Sequence, residues 1–96
     1  MVEDGALTPQ KVWRVLREAG FQRSQHHSIG RGHRIYGEGY RARAGSGGSV
    51  LVTHKTNLGG PERFQRIDSE LGKYAIALKD AGLRVYESNQ TLVVSR

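Results

Sequence analysis

The sequence predicts a small α+β domain, in which a mainly antiparallel sheet carries two helices on one face, in the order α-β-β-β-α-β-β. Two segments show helical apolar periodicity, and each ends in glycine followed by an apolar residue. A third stretch alternates strictly between apolar and polar residues, as a half-buried strand does. The chain has 96 residues, the length of one domain, so we expect one core across 1–96 with 1–7 as a flexible tail.

The first helix is predicted over residues 8–19. Thr8 is a good N-cap, and Pro9 suits the first helical position. Gly20 can adopt the left-handed conformation that ends a helix, and Phe21 is then placed to pack back on Leu16. The apolar face of this helix is Val12, Val15, Leu16 and Ala19.

The second helix is predicted over residues 61–81, because its apolar residues are spaced alternately three and four apart. Gly82 and Leu83 end it as Gly20 and Phe21 end the first. Gly72 lies in its middle at a cost of about 1 kcal/mol relative to alanine, which favours a close approach by another backbone there. The stripe is Phe64, Ile67, Leu71, Tyr74, Leu78 and Ala81.

The remaining segments are predicted strands. Residues 21–28 form the first, and 39–55 form a hairpin with its turn at 45–48, because Tyr40, Ala42 and Ala44 alternate with arginines. Residues 83–88 and 91–95 form a terminal hairpin around Asn89-Gln90. In that register Val85 faces Val94 and Glu87 faces Leu92. We expect Leu16, Phe21, Ile67, Leu71 and Leu78 to be among the most buried side chains.

The net charge of +6 is concentrated in the middle of the chain. Residues 22–60 contain six lysines and arginines but only one acid, Glu38, and all four histidines lie there as well. A cluster of this kind is typical of proteins that bind polyanions. Arginine outnumbers lysine eleven to four, which suits phosphate contact but is also the bias of a GC-rich genome, the explanation we favour.

The segment 30–41 combines glycines with arginines and tyrosines. It lacks the third glycine of a dinucleotide fingerprint and the Gly-Lys-Ser/Thr of a phosphate-binding loop. We interpret it as a mobile basic loop that approaches a phosphate chain, with Tyr36 or Tyr40 available to stack on a base. The alternative is a solvated connection of a hairpin. The predicted nucleic-acid-binding residues are Arg31, Arg34, Tyr36, Arg41, Arg43 and Lys55.

Other chemistries find little support in the sequence. There is no cysteine, and His26 and His27 are neighbours that point to opposite faces of a strand, so neither metal nor cofactor is expected. No serine lies in a nucleophile-elbow context, and no catalytic residue is predicted. No stretch is long and apolar enough for a membrane helix, and residues 1–7 do not form a secretory signal. We therefore expect a cytoplasmic protein without membrane contact.

Four short motifs lie in the order seen in the HicA family of RNA-cleaving toxins. They are Ala19-Gly20-Phe21, then Gly32-His33-Arg34-Ile35-Tyr36, then Val50-Leu51-Val52-Thr53-His54, then the 61–81 helix. Over residues 8–82 the chain thus resembles that family, with Gly32 where the family has serine. The resemblance implies a double-stranded-RNA-binding-like fold and a ribonuclease activity in which His33 takes the catalytic role.

In general style the chain also resembles the short, arginine- and glycine-rich accessory proteins of actinobacterial bacteriophages, which implies a small binding protein more than an enzyme. Three hypotheses follow: a nucleic-acid-binding protein, a protein-binding modulator of a host factor, and a ribonuclease. The position of the positive charge favours the first. The sequence lacks a helix-turn-helix and an aromatic RNA-binding strand motif, so the protein-binding modulator remains the second hypothesis.

Overall fold

In the computed structural model, residues 7–29 and 32–96 are described, with side chains for 7–25 and 37–96. These residues form two helices, six strands and a short 3₁₀ turn at Ser46–Gly48. The helices and strands are α1 (Pro9–Glu18), β1 (Gln25–Ile29), β2 (Gly32–Gly37), β3 (Gly39–Ala44), β4 (Val50–Lys55), α2 (Gly60–Asp80), β5 (Arg84–Ser88) and β6 (Thr91–Ser95).

Four of the strands form an antiparallel sheet in the order β3-β4-β6-β5, and β1 and β2 form a separate antiparallel pair. Both helices contribute to one core with the inward residues of the large sheet, so they lie on the same face of it. The predicted α+β class and order are confirmed. The structure adds a strand, β2, within the segment 30–41 that we expected to be a loop.

Both helices end as their sequences predict. The Thr8 hydroxyl accepts a hydrogen bond from the Lys11 backbone amide at the start of α1. At its end, the Phe21 amide donates to the Leu16 carbonyl at 3.0 Å, and at the end of α2 the Leu83 amide donates to Leu78 at 3.1 Å. This pattern is the Schellman motif, and it fixes where the chain leaves each helix.

The core confirms four of the five residues expected to be most buried. Leu16, Leu71 and Leu78 are fully buried, and Ile67 is 5% exposed. Phe21 is only partly buried, because it packs edge-on against Tyr74 at the border of the core, with ring centroids 4.9 Å apart. The remaining core residues are Leu7, Val12, Tyr40, Ala42, Val50, Val52, Tyr74, Leu92 and Val94.

The apolar stripe of α2 extends beyond the core at both ends. Phe64 is 54% exposed and Ala81 is also exposed. A helix of 21 residues is about 32 Å long, whereas a six-residue strand is about 20 Å, so α2 is longer than the strands against which it packs. The expectation of a close approach at Gly72 is wrong, since a side chain there would meet nothing within 4 Å.

The terminal hairpin has the predicted register. Val85 pairs with Val94 and Glu87 with Leu92. Asn89 and Gln90 have φ of 51° and 59°, so the two-residue turn is left-handed at both positions, as a type I′ hairpin requires. Among the described residues, neither helix combines the length and apolar character needed to cross a membrane.

Candidate nucleic-acid interface

The side of the four-stranded sheet that faces away from the helices is here called the outer face. Residues paired across antiparallel strands lie on the same side of a sheet. Arg41 pairs with Thr53, whereas the inward Ala42 pairs with the buried Val52. Extending this register over all four strands defines the outer face as Gly39, Arg41, Arg43, Leu51, Thr53, Lys55, Arg84, Tyr86, Ser88, Thr91, Val93 and Ser95.

The outer face carries four cations and no carboxylate. Arg41 and Arg43 are exposed on β3, Lys55 is half-buried at the end of β4, and Arg84 is exposed on β5. Tyr86 lies beside Arg84 on the same face and is 64% exposed. Positive charge attracts phosphates, and an exposed aromatic ring offers a surface on which a base can stack.

The structure brings together three of the six predicted site residues, namely Arg41, Arg43 and Lys55. Arg34 and Tyr36 belong to β2, and their side chains lie outside the described part, as does the whole of Arg31. The prediction missed Arg84 and Tyr86. The signal was available, because the predicted pairing of Val85 with the core residue Val94 places both neighbours of Val85 on the opposite face.

A short segment before β1 runs along one edge of the sheet. The Ser24 amide donates to the Tyr40 carbonyl at 2.8 Å, and the Tyr40 amide donates to the Gln22 carbonyl at 3.0 Å. Gly39 permits this approach, since a Cβ there would collide with the Gln22 carbonyl and lie 2.7 Å from the carbonyl carbon of Arg23. Arg23 and Ser24 are thereby held beside β3.

Two adjoining cavities lie between α1, this segment and β3, and together we call them the edge cleft. Their volumes are about 420 and 550 Å³, and both are lined by Trp13 and Arg23. The Arg23 guanidinium lies 3.8 Å from the centre of the Trp13 ring, a cation–π contact. Among the described residues, five arginines and no carboxylate line the edge cleft: Arg14, Arg17, Arg23, Arg41 and Arg43.

The positive charge of the edge cleft acts on Tyr40. Burial raises the pKa of the Tyr40 hydroxyl, while the charges of Arg23 and Arg17 oppose that rise. The hydroxyl donates a hydrogen bond to the Trp13 carbonyl at 3.3 Å, which ties β3 to α1 beneath the cleft. Arg14 and Arg17 were not among the predicted site residues, although their spacing of three places them on one helix face.

A polar cluster joins Glu38, which directly precedes β3, to β4 and α2, and it was not predicted. His54 is 5% exposed, and its two ring nitrogens lie 2.6 Å from the Tyr74 hydroxyl and 2.6 Å from a Glu38 carboxylate oxygen. Because an ionised carboxylate only accepts hydrogen bonds, Nε2 of His54 donates to Glu38. Arg66 Nη1 donates to both oxygens of Glu38, at 3.1 and 2.8 Å.

The polar groups of this cluster bond to one another, which indicates a role in holding the fold together. Burial, reinforced by the charges of Glu70 and Glu38, raises the pKa of Tyr74 well above its ordinary value, so its hydroxyl stays protonated and donates to Nδ1 of His54. Both nitrogens of His54 are thus in use. No group of three metal-ligating side chains occurs within the described residues. The arrangement satisfies its own buried polar atoms and anchors α2 to the sheet.

In Glu38→Gln, the melting temperature should fall less steeply than in the wild-type protein as the pH is lowered. Burial acts to raise the pKa of Glu38, but hydrogen bonds from His54 and Arg66 outweigh it and lower the pKa below its ordinary value near 4.5. A depressed carboxyl pKa stabilises the fold above the unfolded-state value, and this stabilisation is lost as the pH falls through the folded-state value. Melting curves from pH 7 to pH 3 measure the effect.

The matched control is Glu87→Gln, which removes an exposed carboxylate of β5. It should leave the slope of melting temperature against pH as in the wild-type protein. Identical slopes for wild type and Glu38→Gln would show that the cluster contributes nothing to acid sensitivity.

Comparisons of the chain with protein-family models, with curated proteins and with solved structures find no match. The fold and its surface therefore define the class: an α+β domain whose open sheet face and adjoining edge cleft are cationic.

Proposed function

We propose that the protein is a small accessory protein, of the phage type that its sequence style resembles, and that it binds nucleic acid through the outer face. The observation that supports this most strongly is the charge of that face, with Arg41, Arg43, Lys55 and Arg84 and no acid. A polyanion is the partner that such a surface favours.

The rest of the charge distribution supports the same assignment. The described acids lie away from the outer face: on α1 and α2, at Glu38 in the polar cluster with His54, and at Glu87, which pairs with the inward Leu92. A net charge of +6 spread evenly over the molecule would direct a polyanion to no particular surface. Separating the two signs gives one surface a high local potential, which steers a nucleic acid to it.

The dimensions of the outer face also fit a nucleic-acid strand. β3 and β5 are the two outermost strands of the sheet, and each carries arginine on this face. Four strands about 4.8 Å apart place these two rows about 14 Å from each other. A strand of nucleic acid crossing the sheet can contact arginine at both borders, with Tyr86 and the apolar Leu51 and Val93 between or beside them.

A salt titration of binding to mixed-sequence DNA and RNA tests the proposal. Four phosphate contacts predict a slope of log affinity against log salt near −3, so affinity should fall roughly 50-fold between 50 and 200 mM salt. Fluorescence anisotropy with a labelled oligonucleotide measures it. Absence of binding at low salt would rule the proposal out.

The same samples separate the ribonuclease hypothesis from simple binding. If the protein only binds RNA, the RNA recovered after prolonged incubation should be intact. Cleavage that disappears in His33→Ala would instead support the activity that the family resemblance implies.

A protein partner is the second candidate, and the position of β5 favours it. β5 is a terminal strand of the four-stranded sheet, and most of its residues are exposed. A strand in this position can pair with an extended segment of another protein. Binding to a partner protein that persists at high salt, without any binding to nucleic acid, would select this alternative.

A further inference from the structure

The edge cleft continues the outer face around the border of the sheet. Arg41 and Arg43 belong to the outer face and also line the larger cavity of the cleft. The smaller cavity extends from there to α1, where Arg14 and Arg17 lie. Positive charge thus runs from the open side of β3, over its edge, to the side on which α1 packs.

The interior of the cleft combines aromatic and cationic groups. Trp13, Phe21 and Tyr40 give the smaller cavity an apolar lining, and Arg14, Arg17 and Arg23 surround it. Both cavities are of the size that small ligands occupy, about 300–1,000 Å³. Aromatic rings and guanidinium planes stack on bases, while guanidinium N–H groups bind phosphates, often through two hydrogen bonds.

Trp13 and Arg23 form the centre of this arrangement. Arg23 is exposed and its central guanidinium carbon lies 3.8 Å from the centre of the Trp13 ring, so the ring covers one side of the group and leaves the rest of it open. Nε1 of Trp13 is buried and has no hydrogen-bond partner among the described residues. An unpaired buried donor is uncommon in proteins and points to a ligand or a bound water at this position.

The basic surface bends around the edge of β3, and this bend favours single-stranded over double-stranded nucleic acid. The persistence length of a duplex is about 150 base pairs, so a duplex cannot follow a surface that folds back within a few residues. A single strand bends freely and can place one nucleotide in a narrow cleft. A duplex can therefore lie on the open outer face but cannot at the same time enter the cleft.

We infer that the protein binds single-stranded nucleic acid, with the strand passing over the edge of β3 so that one nucleotide enters the edge cleft. Arg14 and Arg17 bind its phosphate, and its base stacks on Arg23 above Trp13. This inference rests on the proposed function, because it names the form of nucleic acid that the same basic surface binds.

The test compares single-stranded DNA and RNA of about 12 nucleotides with the duplex of the same DNA sequence, for the wild-type protein and Arg14→Gln/Arg17→Gln. Removing two phosphate contacts should weaken single-strand binding about 25-fold at 0.1 M salt, with less than about threefold change for the duplex. Arg63→Gln/Lys79→Gln is the matched control, since both residues are exposed on α2 and the charge removed is the same.

Trp13 provides a readout that needs no variant, because it is the only tryptophan of the chain. Single strands should change its fluorescence, and duplex should change it little. Equal affinity for both forms with unchanged Trp13 emission overturns the inference and leaves the proposed function standing. Failure of every nucleic acid to bind at low salt overturns both. If the cleft variant does not fold, the affinities and Trp13 emission of the wild-type protein still decide between these outcomes.

Discussion

Leu71→Ala is expected to lower the free energy of unfolding by roughly 2–5 kcal/mol. Leu71 is fully buried in the middle of α2, where the helix lies over the sheet. Truncation removes apolar contacts and leaves a cavity that a core bounded by Tyr74 and the sheet cannot fully close. Because small domains are stable by only about 5–15 kcal/mol, the loss is a large part of the total. Urea denaturation followed by circular dichroism measures it.

Ile76→Ala is the matched control for this prediction. Ile76 lies on the same helix but is 64% exposed, so its truncation leaves no cavity. We expect a change within about 0.5 kcal/mol, as for most surface substitutions. Equal losses for the two variants, or an unchanged stability of Leu71→Ala, would show that α2 does not pack through the face that contains Leu71.

The elements that the sequence predicts well are those fixed by nearby residues. The end of α1 depends on Gly20 and on a contact between residues five apart, and the terminal turn depends on Asn89 and Gln90. Such signals lie within one short window of sequence. Phe21 shows what such local signals cannot predict. The end of α1 fixes its backbone position, but its burial depends on Tyr74, 53 positions later.

The candidate sites were harder to predict, because they are assembled from distant segments. Glu38 directly precedes β3, His54 lies on β4 and Tyr74 on α2, and no periodicity along the chain shows which strand packs against which helix. Arg14 and Arg17 likewise become part of a cleft only because the segment around Arg23 is held against Tyr40. Alternation alone, in contrast, was enough to place Arg41 and Arg43 on the solvent side of β3, where the structure has them.

The buried cluster explains how a small domain can keep an open cationic face. Arg41 and Arg43 on β3 and Lys55 on β4 lie on one face, and their mutual repulsion destabilises the sheet unless other contacts hold it. The cluster of Glu38, His54 and Tyr74 ties β4 and the residue before β3 to α2 on the opposite side of the sheet, and Tyr40 ties β3 to α1. The helix side thus supplies the stability that leaves the outer face available for binding.

Arg41→Glu/Arg43→Glu is expected to abolish binding of nucleic acid while the fold stays intact. The change takes the outer face from four cations to two cations and two anions, so its net charge falls to zero. Loss of two phosphate contacts weakens binding about 25-fold at 0.1 M salt, and the new repulsion adds a similar factor, for a total of several hundred-fold. Both side chains are exposed, so the melting temperature should change little.

The control is Arg63→Glu/Lys79→Glu, which changes the net charge of the protein by the same amount on the solvent side of α2. If only net charge attracted the nucleic acid, the two double variants would lose affinity equally. If the outer face makes the contacts, the α2 variant should keep most of its affinity and the salt slope of the wild-type protein, because its substitutions lie on the other side of the sheet. Unaltered affinity in Arg41→Glu/Arg43→Glu would place the interface elsewhere on the molecule.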